Sequence, residues 1–295
     1  MNTKEVIRVV TAHRQTEGGG FVVRRPVPTA GLELVDPFLL IDEMGPVDYA
    51  PGEAVGAPDH PHRGFETITY ALAGEFEHED SAGHAGKLAA GDVQWMTAGG
   101  GIIHSEEPSQ RIRDQGGRVH GFQIWVNLPA KLKMTQPRYQ EVKSAAIPRG
   151  ETPDGRARVK VIAGSALGVD AVIDTHTPVA YQDWTLDVGG DASVTLDHGE
   201  RALVYVFGGS ARIGDEGRVI GDGQLAILGE GTTVRLRGPE TGESARLLLL
   251  AGTPLREPVA RYGPFVMNTR DELIQAFEDY QSGRMGEITR TARVA

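Results

Sequence analysis

The stretch ETITYALAGEFEHEDSAGHAGKLAAGDVQWM, residues 66–96, contains two short apolar runs separated by glycine turns and a charged hairpin. Glu66 to Leu72 and Asp92 to Met96 are predicted to be β-strands. Short runs rich in β-branched and aromatic residues, bounded by glycine, favour strands over helices. The stretch therefore predicts a strand, a turn, a hairpin and a second strand.

A similar pattern returns about 130 residues later in the chain. Tyr205-Val-Phe-Gly208 resembles Tyr70-Ala-Leu-Ala-Gly74, and Gly223 to Leu228 resembles Gly91 to Met96. Because the offset is close to one ordinary domain length, this weak repeat predicts two β units of one kind.

Turn-forming residues recur along the whole chain, which contains 39 glycines and 17 prolines among 295 residues. Many turns between short apolar runs are typical of an all-β sandwich or barrel. The further predicted strands are Phe38 to Ile41, Val119 to Asn127, Val159 to Ala163, Ala202 to Phe207, Gln224 to Leu228 and Arg246 to Ala251.

One helix is predicted near the C-terminus. Thr269 is a candidate N-cap, and Glu272 three residues later completes a capping box. Gly283 is a candidate stop signal. Between these ends lies an apolar stripe made of Leu273, Ile274, Phe277 and Tyr280.

Composition excludes several classes of function. The formal net charge is -10, with 30 Lys and Arg against 40 Asp and Glu, and no basic cluster that would bind nucleic acid directly. The longest leucine run, Leu247 to Leu250, is far shorter than the roughly 20 apolar residues of a membrane span. The N-terminus lacks a signal-peptide pattern, and there is no cysteine, so we expect a cytoplasmic protein whose metal ligands are His and carboxylate.

The stretch from Asp59 to Glu107 carries the candidate metal ligands. It contains His60-Pro-His62 and, further on, His104-Ser-Glu106. Residues two apart in a strand share a face, so each pair directs two ligand-type groups the same way. If both faces look into one barrel, three imidazoles and a carboxylate converge. Those donors suit divalent Fe, Ni, Cu, Zn or Mn, and they disfavour Mg or Ca.

Two further glutamates bear on the fourth ligand. Glu66 would share a face with His62 on a regular strand, so it competes with Glu106 as a ligand or acts as an outer partner. Glu107 has the opposite parity to His104 and is predicted to point away. His120 stays undecided because it starts a strand near the site. The ordinary solvent-facing or hydrogen-bonded histidines are predicted to be His13, His78, His84, His176 and His198.

Several blocks resemble the signature of the pirin family within the cupin superfamily. They are HPHRGFET at 60–67, GEFEHEDSAG at 74–83, GDVQWMTAG at 91–99 and GIIHSE at 101–106. The flanking blocks DPFLL at 36–40 and GPFVMNT at 263–269 match as well. The resemblance covers nearly the whole chain and extends to bacterial pirin-like quercetin 2,3-dioxygenases.

The resemblance implies a bicupin with a C-terminal helix. We expect a metal-binding barrel over residues 1–140, a metal-free barrel over 141–265, and a tail over 266–295 that packs back on the N-terminal domain. The boundary is expected between Arg138 and Arg158, where proline and glycine interrupt the apolar pattern. Val204 to Ser210 and Gly221 to Gly229, in the second repeat, contain no H-x-H.

The family's ligand positions fall on His60, His62, His104 and Glu106, which leaves Glu66 as an outer partner. We expect one divalent transition metal, Fe(II) in the first place, with Ni, Cu, Mn, Co or Zn as alternatives. Four protein ligands leave room for a substrate, so a purely structural metal is disfavoured.

The resemblance implies flavonol cleavage, in which quercetin and dioxygen give a ring-opened product and carbon monoxide. Glu106 is the expected base, with Glu66 second. Val47 to Ala57 is expected at the pocket mouth. The candidate pocket residues are Phe38, Met44, Phe65, Trp95, Met96 and Phe122. The alternative is a metal-responsive or redox-responsive binding protein that modulates a transcriptional or metabolic protein partner.

Overall fold

The computed structural model describes residues 2–289. The chain divides into two compact units that interleave in sequence. The N-unit consists of Arg14–Pro28, Phe38–Ser144 and the segment that begins at Leu255. The C-unit consists of the described residues up to His13, Thr29–Pro37 and Ala145–Pro254.

Strands dominate both units. As far as residue 142 they are β1 (Val6–Thr11), β2 (His13–Glu17), β3 (Phe21–Val27), β4 (Phe38–Tyr49), β5 (Ala57–His62), β6 (Phe65–Ala73), β7 (Glu75–Asp80), β8 (Ala85–Ala89), β9 (Val93–Thr97), β10 (Ile102–Pro108), β11 (Gly117–Asn127) and β12 (Arg138–Val142). They continue as β13 (Arg149–Glu151), β14 (Ala157–Ala163), β15 (Ser165–Ala166), β16 (Val169–Asp170), β17 (Val179–Leu186), β18 (Asp191–Thr195), β19 (Arg201–Gly208), β20 (Ser210–Ile213), β21 (Arg218–Gly221), β22 (Gln224–Leu228), β23 (Thr233–Arg237), β24 (Ala245–Gly252), β25 (Ala260–Tyr262) and β26 (Phe265–Met267). Every predicted strand is present.

Helices are few in the described part of the chain: α1 (Gln110–Gln115), α2 (Arg270–Gln281) and two 3-10 turns, Ala130–Leu132 and Ser144–Ala146. The predicted capping box of α2 is confirmed, because Thr269 accepts from the Glu272 backbone and Glu272 accepts from the Thr269 backbone. The predicted stripe is only partly buried, since Leu273 is buried but Ile274 is 49% exposed. No helix among residues 2–289 is long and apolar enough to cross a membrane.

The two units share one sheet topology. The N-unit has a seven-stranded sheet in the order β12-β9-β6-β11-β4-β3-β2 and a four-stranded sheet in the order β5-β10-β7-β8. The C-unit repeats this plan with β1-β22-β19-β24-β17-β14-β13 and β18-β23-β20-β21. Within these sheets the strands pair antiparallel, as in β6 with β9 and β19 with β22. The predicted all-β architecture of two barrels with one C-terminal helix is confirmed.

The sequence repeat maps onto this topology. Tyr70 lies in β6 and Tyr205 in β19, which are the third strands of their seven-stranded sheets. The second halves of the repeat form β9 and β22, the strands next to them. The repeat therefore marks equivalent strands.

The N-terminal strand contributes to the interleaving of the two units. β1 pairs with β22 in the C-unit, although the strands that follow it, β2 and β3, belong to the N-unit. β12 occupies the equivalent edge position beside β9 in the N-unit. The boundaries predicted at 140/141 and 265/266 concern sequential domains and stay predictions. Met1 and residues 290–295 of the predicted tail lie outside the described residues.

Candidate metal centre

Two neighbouring strands of the four-stranded sheet in the N-unit present the histidines. β5 and β10 pair antiparallel, with His104 opposite His60 and Ile102 opposite His62. The three imidazole rings converge, with centroid separations of 4.7 Å for His60 and His62, 4.4 Å for His60 and His104, and 4.9 Å for His62 and His104. One ring nitrogen from each histidine lies within 4.8 Å of the others.

Backbone carbonyls orient two of the rings. His60 Nδ1 lies 2.7 Å from the carbonyl of Pro58, and His62 Nδ1 lies 3.3 Å from the carbonyl of Pro264. A carbonyl only accepts hydrogen bonds, so each Nδ1 carries the proton and each Nε2 keeps its lone pair. The two Nε2 atoms lie 3.1 Å apart. Two facing lone pairs at this distance repel each other, and a shared cation would remove that repulsion.

His104 supplies the strongest sign of a metal ligand. It is fully buried, and neither of its ring nitrogens has a hydrogen-bond partner among the described residues. A buried polar atom without a partner is costly in a native protein, so it calls for an explanation such as an ion. Burial, followed by the nearby charge of His60, lowers the pKa of His104 well below its ordinary value.

The same causes lower the pKa of His62 well below its ordinary value: burial first, then His60. Neutral imidazole is the form that binds metals, so the local environment favours ligation. The residues present therefore fit a divalent transition metal, and the three-histidine group could bind one.

The structure does not bring Glu106 into the histidine group. Its carboxylate accepts hydrogen bonds from Thr69 Oγ1 at 2.6 Å and from Gln123 Nε2 at 2.8 Å. Between His104 and Glu106 the extra residue of an irregular pairing lies in β5, because His104 pairs with His60 and Glu106 with Ala57. β10 itself stays in regular register with β7, so His104 and Glu106 share a face of β10 as predicted. Glu106 as fourth ligand stays a prediction.

The other two glutamates lie elsewhere. Glu66 is fully buried in β6 and accepts a hydrogen bond from Thr97 Oγ1 at 2.7 Å. Gly64, with φ at 88°, separates it from His62, so the two residues are not on one regular strand. Strand parity places Glu66 on the face opposite Thr69, away from Glu106. Glu107 pairs with Glu77 and lines an outer surface with it.

The candidate pocket residues fall on both faces of the seven-stranded sheet. Phe65 contacts His62 at 5.0 Å between ring centroids, and Met44 lines a cavity beside Glu106. Met96 packs with Ala98, Ile102 and Tyr139. The aromatic residues whose strand parity puts them on the face opposite Thr69 and Gln123 are Trp95 and Phe122. Phe38 is buried next to a register shift between β11 and β4.

The cavity beside Glu106 is narrow and mostly apolar. Its volume is about 40 Å³, and Thr69, Gln123 and Glu106 form its polar part. Residues of the Val47 to Ala57 segment line it, in agreement with the mouth predicted there. The apolar lining consists of Phe21, Val22, Met44, Val47, Tyr49, Val55, Ala57, Phe76, Pro108 and Val119.

Sequence reasoning missed the residues that hold the site in place. Thr69 and Gln123 are cross-strand partners, and both donate to Glu106. A glutamine inside the apolar β11 was the available signal. Trp125, which lies 5.1 Å from His62 and stacks on Phe65, was also missed.

Three histidines outside the cluster have carboxylate partners. His78 pairs with Glu141, and His84 Nδ1 lies 3.0 Å from Asp80. His120, left undecided from sequence, lies 2.8 Å from Glu43 and does not join the three-histidine group.

Two β-barrels in tandem, one with a histidine cluster, define a bicupin. Residues 20–126 match the model of the pirin family, and residues 181–286 match that of the pirin C-terminal cupin domain. Pirin from Rattus norvegicus is 43% identical over segments that cover 97% of this chain and 94% of the rat protein. The chain therefore belongs to the pirin family.

Solved structures give the same result. Quercetin 2,3-dioxygenase from Acinetobacter baumannii superposes with a TM-score of 0.88 at 35% identity, over 97% of this chain and all of that one (100%). A bacterial pirin from Escherichia coli in complex with nickel(II) shares the fold, with a TM-score of 0.63 at 21% identity over 84% of this chain and 99% of that one.

Proposed function

We propose that this chain is a metal-dependent dioxygenase that opens the heterocyclic ring of a flavonol such as quercetin and releases carbon monoxide. The observation that carries the proposal is the three-histidine cluster, in which His62 and His104 are buried with lowered pKa values, in a barrel that also contains a carboxylate beside an apolar cavity. The likeness to quercetin 2,3-dioxygenase from Acinetobacter baumannii supports it.

Each residue has a stated role in this proposal. His60, His62, His104 and Glu106 hold the metal, and Glu106 also removes the 3-hydroxyl proton of the flavonol. Thr69 and Gln123 fix the orientation of the Glu106 carboxylate through their two hydrogen bonds. A bound Fe(II) would supply the Lewis-acid and redox chemistry that the reaction with dioxygen needs.

Ligand entry requires the cavity to widen. At about 40 Å³ it holds only a few water molecules, at roughly 10–15 Å³ each. Its mouth includes Val22 and Val55, which are 41% and 38% exposed. The glycine turn after β2 closes over this mouth through the hydrogen bond from Gly19 N to Gly56 O, 2.8 Å long. We propose that flavonols enter by displacing this turn.

The test is a quercetin assay on protein loaded separately with Fe(II), Ni(II), Cu(II), Mn(II), Co(II) and Zn(II). Quercetin loss, oxygen uptake and carbon monoxide release in equal amounts support a dioxygenase. A tightly bound metal with no turnover in any form refutes it.

One observation favours the alternative, a metal-responsive protein that binds a partner. The segment that contributes the Pro264 carbonyl to His62 also carries Tyr262, 70% exposed, and Ile274, 49% exposed. A change at the histidines could thus reach an apolar surface. Partner capture that depends on metal, without quercetin turnover, supports this second function.

A further inference from the structure

The C-terminal segment of the N-unit packs beside the ligand strands. β26, α2 and the turn after α2 contribute Phe265, Met267, Leu273, Ala276 and Met285 to one buried cluster. Ile103, the residue before His104 on β10, packs against that cluster. We call the segment from Pro264 to Met285 the clamp.

The clamp contacts a candidate ligand directly at one atom. The Pro264 carbonyl lies 3.3 Å from His62 Nδ1, and His62 is buried, with 3% of its surface exposed. This contact assigns the proton to Nδ1 and leaves Nε2 to face His60. Without the carbonyl, the neutral ring could place its proton on either nitrogen, and a proton on Nε2 would block metal binding at that atom.

Backbone contacts secure the residues that follow His62. Val266 N donates to the Arg63 carbonyl at 3.0 Å. A side chain at Gly64 would meet the Val266 carbonyl oxygen at 2.0 Å, so the clamp approaches closer than any residue but glycine permits. The position of the Pro264 carbonyl is therefore set to within a small tolerance.

Charged side chains tie the clamp down at two places. Arg63 Nη2 forms an ion pair with Asp279 Oδ2 of α2 at 2.7 Å, and both side chains are largely buried. Lys133 Nζ donates to the carbonyls of Gly64 at 2.7 Å and Val266 at 3.0 Å. The ion pair joins α2 to the residue next to His62, and Lys133 joins β26 to the start of β6.

A further tie lies beside the second ligand strand. Ser81 Oγ donates to the Met285 carbonyl at 2.8 Å and accepts from Ile103 N at 3.1 Å. Ile103 precedes His104 on β10, so the C-terminal end of the clamp lies beside this ligand strand. The N-terminal end of the clamp lies beside His62 of β5.

We propose that the clamp, residues 264–285, is a positioning element that fixes the tautomer and orientation of His62, so that its docking and metal binding stabilise each other. The inference rests on the metal site of the proposed function but needs no particular reaction. Linkage requires reciprocity: undocking the clamp weakens metal binding by the same factor by which metal strengthens docking. Outer partners of metal-bound histidines typically contribute about 10-fold to 100-fold in affinity.

The test compares Asp279→Asn with Asp271→Asn, the same chemical change at an exposed position of α2. The nickel(II) dissociation constant is measured by competition with a chelator, and hydrogen exchange reports docking of residues 270–281. We expect about 10-fold weaker nickel binding and faster α2 exchange in Asp279→Asn. Asp271→Asn should stay close to wild type, and Asp279→Glu should recover part of the loss.

A second readout separates positioning from general loosening. Long-range proton-nitrogen NMR of the metal-free protein reports which nitrogen of His62 carries the proton. We expect the Nδ1–H form in wild type and in Asp271→Asn, and a mixture of tautomers in Asp279→Asn. Wild-type nickel should also slow α2 exchange.

Faster α2 exchange with unchanged nickel affinity and an unchanged His62 tautomer would overturn the inference. If α2 stays protected in Asp279→Asn, the double variant Phe277→Ala with Asp279→Asn removes a ring contact to Phe265 as well. Unchanged affinity in that variant, with α2 released, refutes the clamp. Absence of quercetin turnover refutes the proposed reaction only, since neither clamp readout uses it.

Discussion

The two barrels share one topology, but the interior of one carries a histidine cluster and the interior of the other is apolar. β5 and β10 of the N-unit correspond in sheet position to β18 and β23 of the C-unit. The first pair carries the three histidines, whereas the second carries the facing apolar pairs Ala192 with Leu236 and Val194 with Val234. These four C-unit residues are buried in a continuous hydrophobic core.

The difference shows how one scaffold is used in two ways. Apolar side chains need no partner, so the C-unit interior gains stability simply by excluding water. Buried imidazoles and a carboxylate need hydrogen bonds or a metal, as Thr69 and Gln123 illustrate at Glu106. Chemistry therefore resides in side chains placed on the fold and not in the fold itself.

Removing one candidate ligand should have the largest effect, and the effect should be confined to one barrel. We expect His62→Ala to lose nearly all bound metal while the strands persist, because the barrel core does not depend on one ion. Elemental analysis and far-UV circular dichroism check this. Val194→Ala in β18 is the control and should keep its metal. Extensive loss of β structure in His62→Ala would contradict the prediction.

Neutralising the carboxylate should separate binding from chemistry. We expect Glu106→Gln to keep appreciable metal but to lose about 100-fold to 10,000-fold in quercetin turnover, the usual contribution of a positioned base. Rates at saturating and limiting quercetin are the measurement. Glu107→Gln, on the outer surface, is the matched control. Full activity in Glu106→Gln would remove its role as base.

Creating a cavity in the apolar interior of the C-unit should lower the free energy of unfolding without changing the metal content. Leu236 is fully buried, so Leu236→Ala should destabilise the protein by about 2–5 kcal/mol. Denaturant unfolding measures the loss, and the metal content should match wild type. Metal loss in this variant would show that metal binding in the N-unit depends on the packing of the C-unit core.

Locking the cavity mouth should reduce turnover reversibly. A Cβ on Gly18 would lie 3.3 Å from Ala57 Cβ, near the range that a disulfide needs, although the Phe21 ring must turn aside. The chain has no cysteine of its own, so Gly18→Cys with Ala57→Cys forms a unique pair. We expect at least about 10-fold lower activity when oxidised, and recovery on reduction. Each single variant is a control, and equal rates in both redox states would exclude this entrance.

The smallest expected effect is on the acid stability of the clamp. Burial alone would raise the pKa of Asp279, but hydrogen bonds from Gln275, Arg63 and Arg284 outweigh it and lower the pKa to about 2. A lowered folded pKa means that its stabilisation is present above the unfolded pKa, near 3.8, and is lost as pH falls through about 2. The protection factor of the α2 amides, which corrects for the pH dependence of intrinsic exchange, should therefore fall less between pH 5 and 2 in Asp279→Asn than in wild type. An equal fall in both proteins would argue against a role for this carboxylate.

Local patterns were enough to predict eight of the strands and the C-terminal helix α2, but not α1. β6 and β9 follow from glycine-bounded apolar runs, and the Thr269 and Glu272 capping box predicts α2, because these signals act over a few residues. H-x-H at residues 60–62 and His104 were likewise readable, since strand parity is a local rule.

Long-range placement was not readable from those patterns. Parity places Glu106 on the same face of β10 as His104, but it does not predict the hydrogen bonds from Thr69 and Gln123 that hold the Glu106 carboxylate. It also put Glu66 and His62 on one strand, whereas Gly64 separates them. The face of the sheet on which Trp95 lies depends on pairing with β6. The Pro264 carbonyl reaches His62 from 202 positions away in sequence. The residue types of the ligands and the alternation of side chains along a strand are local properties of a chain. The partners that orient those ligands depend on strand pairing and on contacts between segments far apart in sequence, which only the tertiary structure decides.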